Sequence, residues 1–291
     1  MIGSIETLIQ MAHENKCTIG HAMIQYEAKT KQISEKEVVE KMKHNWHVMK
    51  ESVRTGLEEP KRSKGGLIGG EAKTLHDYCA VQPNLLSGRN IMEAVSYSLA
   101  VAEVNATMGR IVACPTAGSC GIVPGVLKKI QELDNLSDEQ IAEALMTCAG
   151  VGMVIAHRAS VSGAVGGCQA ECGAASAMAA AAAVELRGGT PEQAAEACAM
   201  VIKNVMGLAC DPVAGLVEVP CAKRNALGAS LAMVMADMAL SGVKSVIPVD
   251  EVITAMGAVG RSLPESLRET ARGGLAVTPT GLALNKKIFG E

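Results

Sequence analysis

The stretch CGAASAMAAAAAVEL, residues 172–186, decides the fold class of this chain. Ala, Met and Leu favour helices, whereas the β-branched and aromatic residues that favour strands are almost absent from it. A helix that is small or apolar on every side is suited to the inside of a bundle. Residues 225–240, NALGASLAMVMADMAL, repeat the pattern. We therefore expect an all-α protein, a bundle of buried Ala/Gly/Met-rich helices with functional loops between them.

The composition of the whole chain agrees with this expectation. Of its 291 residues, 48% are apolar and 20% are charged, while aromatic residues make up only 2%. Such a chain can bury a large core and is not disordered. With 27 Lys and Arg against 30 Asp and Glu, the formal net charge is −3. We therefore expect no attraction to nucleic acid or to a membrane surface.

Capping boxes mark the starts of three helices. In this motif a Ser or Thr side chain and the Glu or Gln three residues later satisfy free backbone amides. Helices are therefore predicted to begin after Ser34, Ser137 and Thr190. After Ser34, apolar residues recur at steps of three and four as far as Val53. This spacing predicts an amphipathic helix that ends near Gly56.

Breaks that contain Gly and Pro separate the helical stretches, and they are the expected functional loops. They fall at 109–125, 160–167, 207–223 and 272–281. No fixed-period repeat is present. We expect a single all-helical domain over 1–291, with an exposed joint near 56–70.

The N-terminal residues do not follow the pattern of a signal peptide, a basic region followed by an apolar one. No apolar stretch reaches the roughly 18 uninterrupted residues that a membrane-spanning helix needs. We therefore expect a cytoplasmic protein with reduced thiols.

Ten cysteines in this chain are more than an ordinary intracellular enzyme carries. Cys168, Cys210 and Cys221 have spacings of 42 and 11 residues, and two of the three stand beside proline or glycine at predicted element junctions. Thiolates that converge from such positions suit zinc or an iron–sulfur cluster. The alternative is that they are small buried hydrophobes. Cys168 and Cys172 also lie one helical turn apart and could face the same ligand. Core filling is expected of Cys17, Cys79, Cys148 and Cys198.

Two further features could take part in chemistry. The Gly/Pro-containing loop 113–125 leads into a helix, where free amides and hydroxyls would bind a carboxylate or phosphate. The alternative is an ordinary connecting loop. His157, with Arg158, precedes a turn at Ser162 and could serve as an acid or base, or it could simply end a helix. Motifs for a P-loop, a nucleophile elbow or a zinc helix are absent, as is an alternating pattern typical of a pyridoxal-phosphate fold.

Three of these loops contain long motifs, PTAGSCGIVPG (115–125), GGCQAE (166–171) and CDPVAGLVEVPC (210–221). These motifs resemble those of the iron–sulfur-dependent L-serine dehydratases, and in particular the alpha chain of their two-chain type. The resemblance extends to 65–70, 162–164 and 278–281, so it covers essentially the whole chain. It implies an all-helical catalytic chain that works with a separate beta chain. It also implies a 4Fe–4S cluster with three cysteine ligands, at Cys168, Cys210 and Cys221.

The implied reaction is the deamination of L-serine in amino-acid catabolism. An iron with no protein ligand would act as a Lewis acid on the serine hydroxyl, while a base removes the Cα proton. The resulting aminoacrylate hydrolyses to pyruvate and ammonia, so pyridoxal phosphate is not required. Substrate binding is expected of Thr116, Gly118, Ser119, Gly121, Ser162, Gly163 and Asn225.

The catalytic base is left open by the sequence, with His157 and Glu171 as candidates. The family's beta portion contains a Ser-Ser-Ser-His-Thr type motif that is absent here, so the beta chain is expected to complete the active site. Two other functions stay open, a cluster-dependent L-cysteine desulfidase and a non-catalytic assembly subunit. A zinc site is a third alternative, although an open Cys₃ site usually includes a His ligand and none lies near these loops.

Overall fold

Helices make up the architecture of residues 2–290, the part of the chain that this computed structural model describes. Met1 and Glu291, the two ends of the predicted domain, lie outside the described residues. Within that part no β-strand forms, and one isolated bridge joins Cys210 to Arg268. The all-α prediction is confirmed. The helices are α1 (Ile5–Asn15), α2 (Ile19–Lys31), α3 (Glu35–Glu58), α4 (Glu71–Val81), α5 (Arg89–Ala106), α6 (Ile122–Asp134), α7 (Asp138–Arg158), α8 (Gly163–Gly166), α9 (Ala174–Leu186), α10 (Pro191–Val205), α11 (Cys221–Leu240), α12 (Val249–Ser262) and α13 (Pro279–Phe289).

Helix α9 lies at the centre of the bundle. Every residue from Ala174 to Val184 is buried, and α6, α7, α10 and α11 all pack around this helix. Its alanine side chains are short enough for helices to approach from all sides, which is what the sequence pattern predicted.

Helix α11 corrects the prediction for residues 225–240. Only one face is buried, whereas Leu227 and Val234 on the other are 50% and 39% exposed. The physical reason is position: α11 packs on α5, α6, α9 and α10 from one side and lies at the edge of the bundle. Residue size alone does not distinguish an edge helix from a central one.

All three predicted capping boxes are present. The side chains of Ser34, Ser137 and Thr190 each accept a hydrogen bond from the backbone amide three residues later, and the Glu or Gln there reciprocates. Helix α3 continues two residues beyond Gly56, because this glycine is a contact point and not a terminator. A Cβ at Gly56 would overlap the backbone of Ala100, so the missing side chain lets α3 approach α5.

Two buried carboxylates anchor the segment 56–70, for which an exposed joint was predicted. Glu218 accepts hydrogen bonds from the Ser63 hydroxyl at 2.5 Å and from two backbone amides of the segment. Glu103 of α5 accepts one from the Gly70 amide at 2.8 Å. The segment is thereby attached to α5 and to the chain that leads into α11, although residues 58–62 are exposed.

Helix α7 has the length and apolar composition of a membrane-spanning helix. However, 67% of its most apolar window is buried inside the protein. Core helices of soluble proteins also have these properties, so α7 is weak grounds for a membrane span.

Candidate active site

Buried thiols from three separate segments lie near one another in the interior. Cys168 and Cys172 belong to the turn after α8, Cys210 to the extended segment after α10, and Cys221 begins α11; all four are at most 6% exposed. Ligand atoms of Cys168, Cys210 and Glu171 all lie within 4.8 Å of one another. Cys221 is near enough for its charge to interact with those of Cys168 and Glu171.

The backbone around these cysteines explains how they are held. Gly167 has a φ of +75°, and a Cβ there would lie 2.8 Å from the Leu208 carbonyl oxygen, so this turn requires glycine. The Cys210 amide donates to the Leu267 carbonyl at 2.8 Å, and its carbonyl accepts from the Glu269 amide at the same distance. The segments that carry Cys168 and Cys210 are thus each fixed by contacts with another part of the chain.

Arg224 supplies a positive charge to this group of thiols. Its guanidinium contacts the Cys168 thiol, donates to the Ala209 carbonyl at 2.8 Å and pairs with Asp211 at 2.7 Å. Hydrogen bonds from Cys172 and Cys210, together with Arg224, lower the pKa of Cys168. Burial raises the pKa of Cys221 to about 12. Cys168 is therefore the thiol most readily present as thiolate, the form that binds metals.

The donor set fits a metal ion or an iron–sulfur cluster. Buried sulfur atoms predominate, one thiol is stabilised as thiolate, and a guanidinium offsets negative charge beside it. A site built for a hard cation would instead present several carboxylate or carbonyl oxygens.

Glu171 joins the thiols to the loop that follows α5. Its Oε1 accepts a hydrogen bond from the Thr116 hydroxyl at 2.8 Å, and its Oε2 lies 3.9 Å from the Cys210 Sγ. Burial raises the pKa of Glu171 to about 7, and the negative charges of Cys168 and Glu269 act in the same direction. A carboxyl of this kind can hold or release a proton near neutral pH.

Asn225 fixes the predicted substrate loop to the helix that begins with Cys221. Its amide nitrogen donates to the Gly118 carbonyl at 2.7 Å and to the Cys221 carbonyl at 2.9 Å, and its oxygen accepts from the Gly121 amide at 2.9 Å. Because the backbone uses these atoms, Asn225 acts here by holding the loop. Ser119 is fully buried, with its hydroxyl 3.2 Å from that of Thr116.

Of the other predicted site residues, some lie beside Glu171 and one, His157, lies away from it. Gly118 and Gly163 face Glu171, since a Cβ on either would lie 3.0 Å or less from its carboxylate. Ser162 directly precedes Gly163. His157 is exposed at the end of α7, where its ring lies beside Gly3. The structure therefore places Glu171, and not His157, at the thiols.

Sequence reasoning missed Arg224 and Glu269. Arg224 follows Cys221 by three residues on α11, and a basic residue one helical turn from a candidate thiolate is a signal that could have found it. Glu269 gives no such signal, because only the pairing of its amide with the Cys210 carbonyl brings it to the site.

Fold and donor set together define an all-helical protein with a candidate metal centre beside an acid–base group. A family model described as serine dehydratase alpha chain matches residues 14–276. The chain belongs to this family, and the resemblance found in its loops is confirmed.

Relatives of about the same length and longer relatives are both similar to this chain. A probable L-serine dehydratase, alpha chain, of Bacillus subtilis (strain 168) is 52% identical over 290 residues, 100% of this chain and 96% of the relative. The L-serine dehydratase, alpha chain, of Peptoniphilus asaccharolyticus is 42% identical over 291 residues, 100% and 99% of the two chains. An L-serine dehydratase of Streptomyces coelicolor (strain ATCC BAA-471 / A3(2) / M145) is 36% identical over 279 residues, 94% of this chain but 60% of the relative.

Proposed function

We propose that this chain is the catalytic alpha chain of an iron–sulfur-dependent L-serine dehydratase, a lyase that forms pyruvate and ammonia. The observation that carries the proposal is the meeting of Cys168, Cys210 and Glu171 within 4.8 Å, with Cys221 nearby. Membership of the serine dehydratase alpha chain family, and relatives named L-serine dehydratase, support the substrate.

Cys168, Cys210 and Cys221 would hold a 4Fe–4S cluster and leave one iron without a protein ligand. When bound, the cluster supplies a Lewis acid that weakens the C–O bond of the substrate hydroxyl. Arg224 favours the thiolate form of Cys168 and so favours ligation. Pyridoxal phosphate has no part in this chemistry.

Within this chain, Glu171 would accept the Cα proton. The Thr116 hydroxyl fixes one of its oxygens, and burial keeps its pKa near neutrality. Loss of the Cα proton and of the hydroxyl gives aminoacrylate. This product tautomerises to an imine, which water hydrolyses to pyruvate and ammonia.

The loop from Thr116 to Gly121 and the turn at Ser162 and Gly163 would hold the substrate around Glu171. Gly118 and Gly163 pack directly against the carboxylate, where a larger side chain would crowd it. Asn225 keeps the loop in place from α11. The loop is thus preorganised before the substrate binds.

A separate beta chain is part of the proposal, as a heterodimer or a higher assembly that contributes to the active site. Support comes from the relatives in Bacillus subtilis and Peptoniphilus asaccharolyticus, which match over nearly their whole length and are named alpha chains. A cytoplasmic location, and the absence of nucleic-acid or membrane binding, belong to the same proposal.

Pyruvate formation from two amino acids tests the function. We expect the assembled enzyme, purified without oxygen, to turn over L-serine with a kcat/KM at least roughly tenfold above that for L-cysteine. The reason is that the proposed reaction removes a hydroxyl and not a thiol. A preference for L-cysteine would identify a desulfidase. Full activity in the triple variant Cys168→Ala, Cys210→Ala, Cys221→Ala would instead make this chain an assembly subunit.

A further inference from the structure

Two carboxylates lie against Gly163, beside the thiols. A Cβ on Gly163 would lie 2.5 Å from the Glu171 Oε2 and 3.1 Å from the Glu269 Oε2. Both oxygens therefore lie on the same side of Gly163, close enough together for one cation to contact both. Two negative groups this close favour a cation between them.

The two carboxylates differ in their partners. Thr116 and Cys210 occupy the oxygens of Glu171. Across residues 2–290, no group donates a hydrogen bond to the carboxylate of Glu269, and no ion pair includes it. Glu269 is exposed, so its carboxylate is accessible to a ligand that enters from solvent.

The position of Glu269 is tied to the thiol-bearing segment. Its amide donates to the Cys210 carbonyl at 2.8 Å, and the Cys210 amide donates to the Leu267 carbonyl at 2.8 Å. Glu269 also adopts a φ of +65°, in the left-handed region that non-glycine residues rarely occupy. Such a conformation persists where the surrounding structure fixes it. The Glu269 side chain is thus held against Gly163.

An L-serine molecule has one cationic group, its α-ammonium. In the proposed function, the Lewis acid would bind the substrate hydroxyl and the loop from Thr116 to Gly121 would bind the carboxylate. The ammonium is the group for which no partner has been assigned. We propose that Glu269 binds the α-ammonium of the substrate beside Gly163 and Glu171, and that it makes the site specific for an amino acid over a hydroxy acid. This inference rests on the proposed function.

Equilibrium binding to the assembled enzyme tests Glu269 separately from turnover. Kd values are measured by calorimetry for L-alanine and L-lactate, which lack the leaving hydroxyl and so are not turned over; L-lactate carries a hydroxyl in place of the ammonium. In Glu269→Gln, the Kd for L-alanine should rise about 30-fold, the order expected for loss of a charge-assisted hydrogen bond. The Kd for L-lactate should change by less than about threefold, because that ligand has no ammonium for Glu269 to bind. Iron per chain should stay at the wild-type value, and Glu269→Asp should be intermediate.

Glu265→Gln is the matched control, because Glu265 is an exposed carboxylate four residues away whose neighbouring cation is Arg272 at 3.7 Å. It should leave both Kd values unchanged. Unchanged L-alanine binding in Glu269→Gln, or equal weakening of both ligands, would overturn the assignment. If L-alanine binding depended on Glu269 as expected but the wild-type enzyme formed no pyruvate from L-serine, the proposed function would fail and the ammonium assignment would stand.

Discussion

Cys210→Ser should leave the assembled enzyme with little iron and should lower kcat by roughly 1,000-fold or more, since the Lewis acid is lost with the ligand. Serine keeps the size of the side chain but is a poor ligand for iron in a sulfur-lined site. The Cys210 Sγ lies within 4.8 Å of ligand atoms of both Cys168 and Glu171. Iron per chain and steady-state kcat, both measured without oxygen, check the prediction.

Cys198→Ser is the matched control for this experiment. Cys198 is as buried as Cys210, at 1% against 2% exposure. Its thiol, however, donates to the Ala177 carbonyl at 3.2 Å, in the contact between α10 and α9. This variant should retain iron and stay within about twofold of the wild-type kcat, because its thiol belongs to the core. Wild-type iron content in Cys210→Ser would contradict the ligand assignment.

Glu171→Gln should lower kcat by about 1,000-fold, within the range that removal of a general base produces. The amide keeps the shape of the side chain and can still accept a hydrogen bond from the Thr116 hydroxyl, but it cannot take up the Cα proton. KM should change little and iron should be retained. Exchange of the Cα proton of L-serine with deuterated solvent should stop as well, which links the loss to proton removal.

Glu185→Gln provides the comparison for Glu171. Burial raises the pKa of Glu185 too, and its carboxylate accepts from the Thr147 hydroxyl at 2.5 Å. It lies at the end of α9, where it caps the start of α2 through the Ile19 amide at 2.6 Å. This variant should keep kcat per folded enzyme within about twofold of wild type, because it lies outside the acid–base chemistry. A kcat in Glu171→Gln within tenfold of wild type would remove Glu171 as the base and transfer that role to the beta chain.

Local sequence signals predicted the helices because the signal and the structure involve the same few residues. A capping box such as that at Ser34 contains both of its hydrogen-bond partners within four residues. Gly56 shows the limit of this reasoning. A glycine can end a helix or allow a close contact, and only the position of Ala100 on α5 decides between the two.

The difference between local signals and long-range contacts also applies to the site residues. Thr116 and Gly163 were predicted as site residues because they lie in loops with recognisable composition, and both face Glu171 in the structure. Glu269 reaches the site through the pairing of its amide with the Cys210 carbonyl, a contact between segments distant in sequence that no local pattern encodes. Arg224 was missed although its position one helical turn from Cys221 is a local signal. The assignment of Cys168, Cys210 and Cys221 as cluster ligands depends on the family resemblance and stays a prediction.

Iron and acid-labile sulfide per chain, in protein purified without oxygen, test the central claim most directly. A cubane cluster on the three cysteines predicts about four of each. The absence of both iron and sulfide, even after anaerobic reconstitution, would contradict the claim. The thiols would then be core residues or a zinc site, and the proposed dehydratase would lack its Lewis acid.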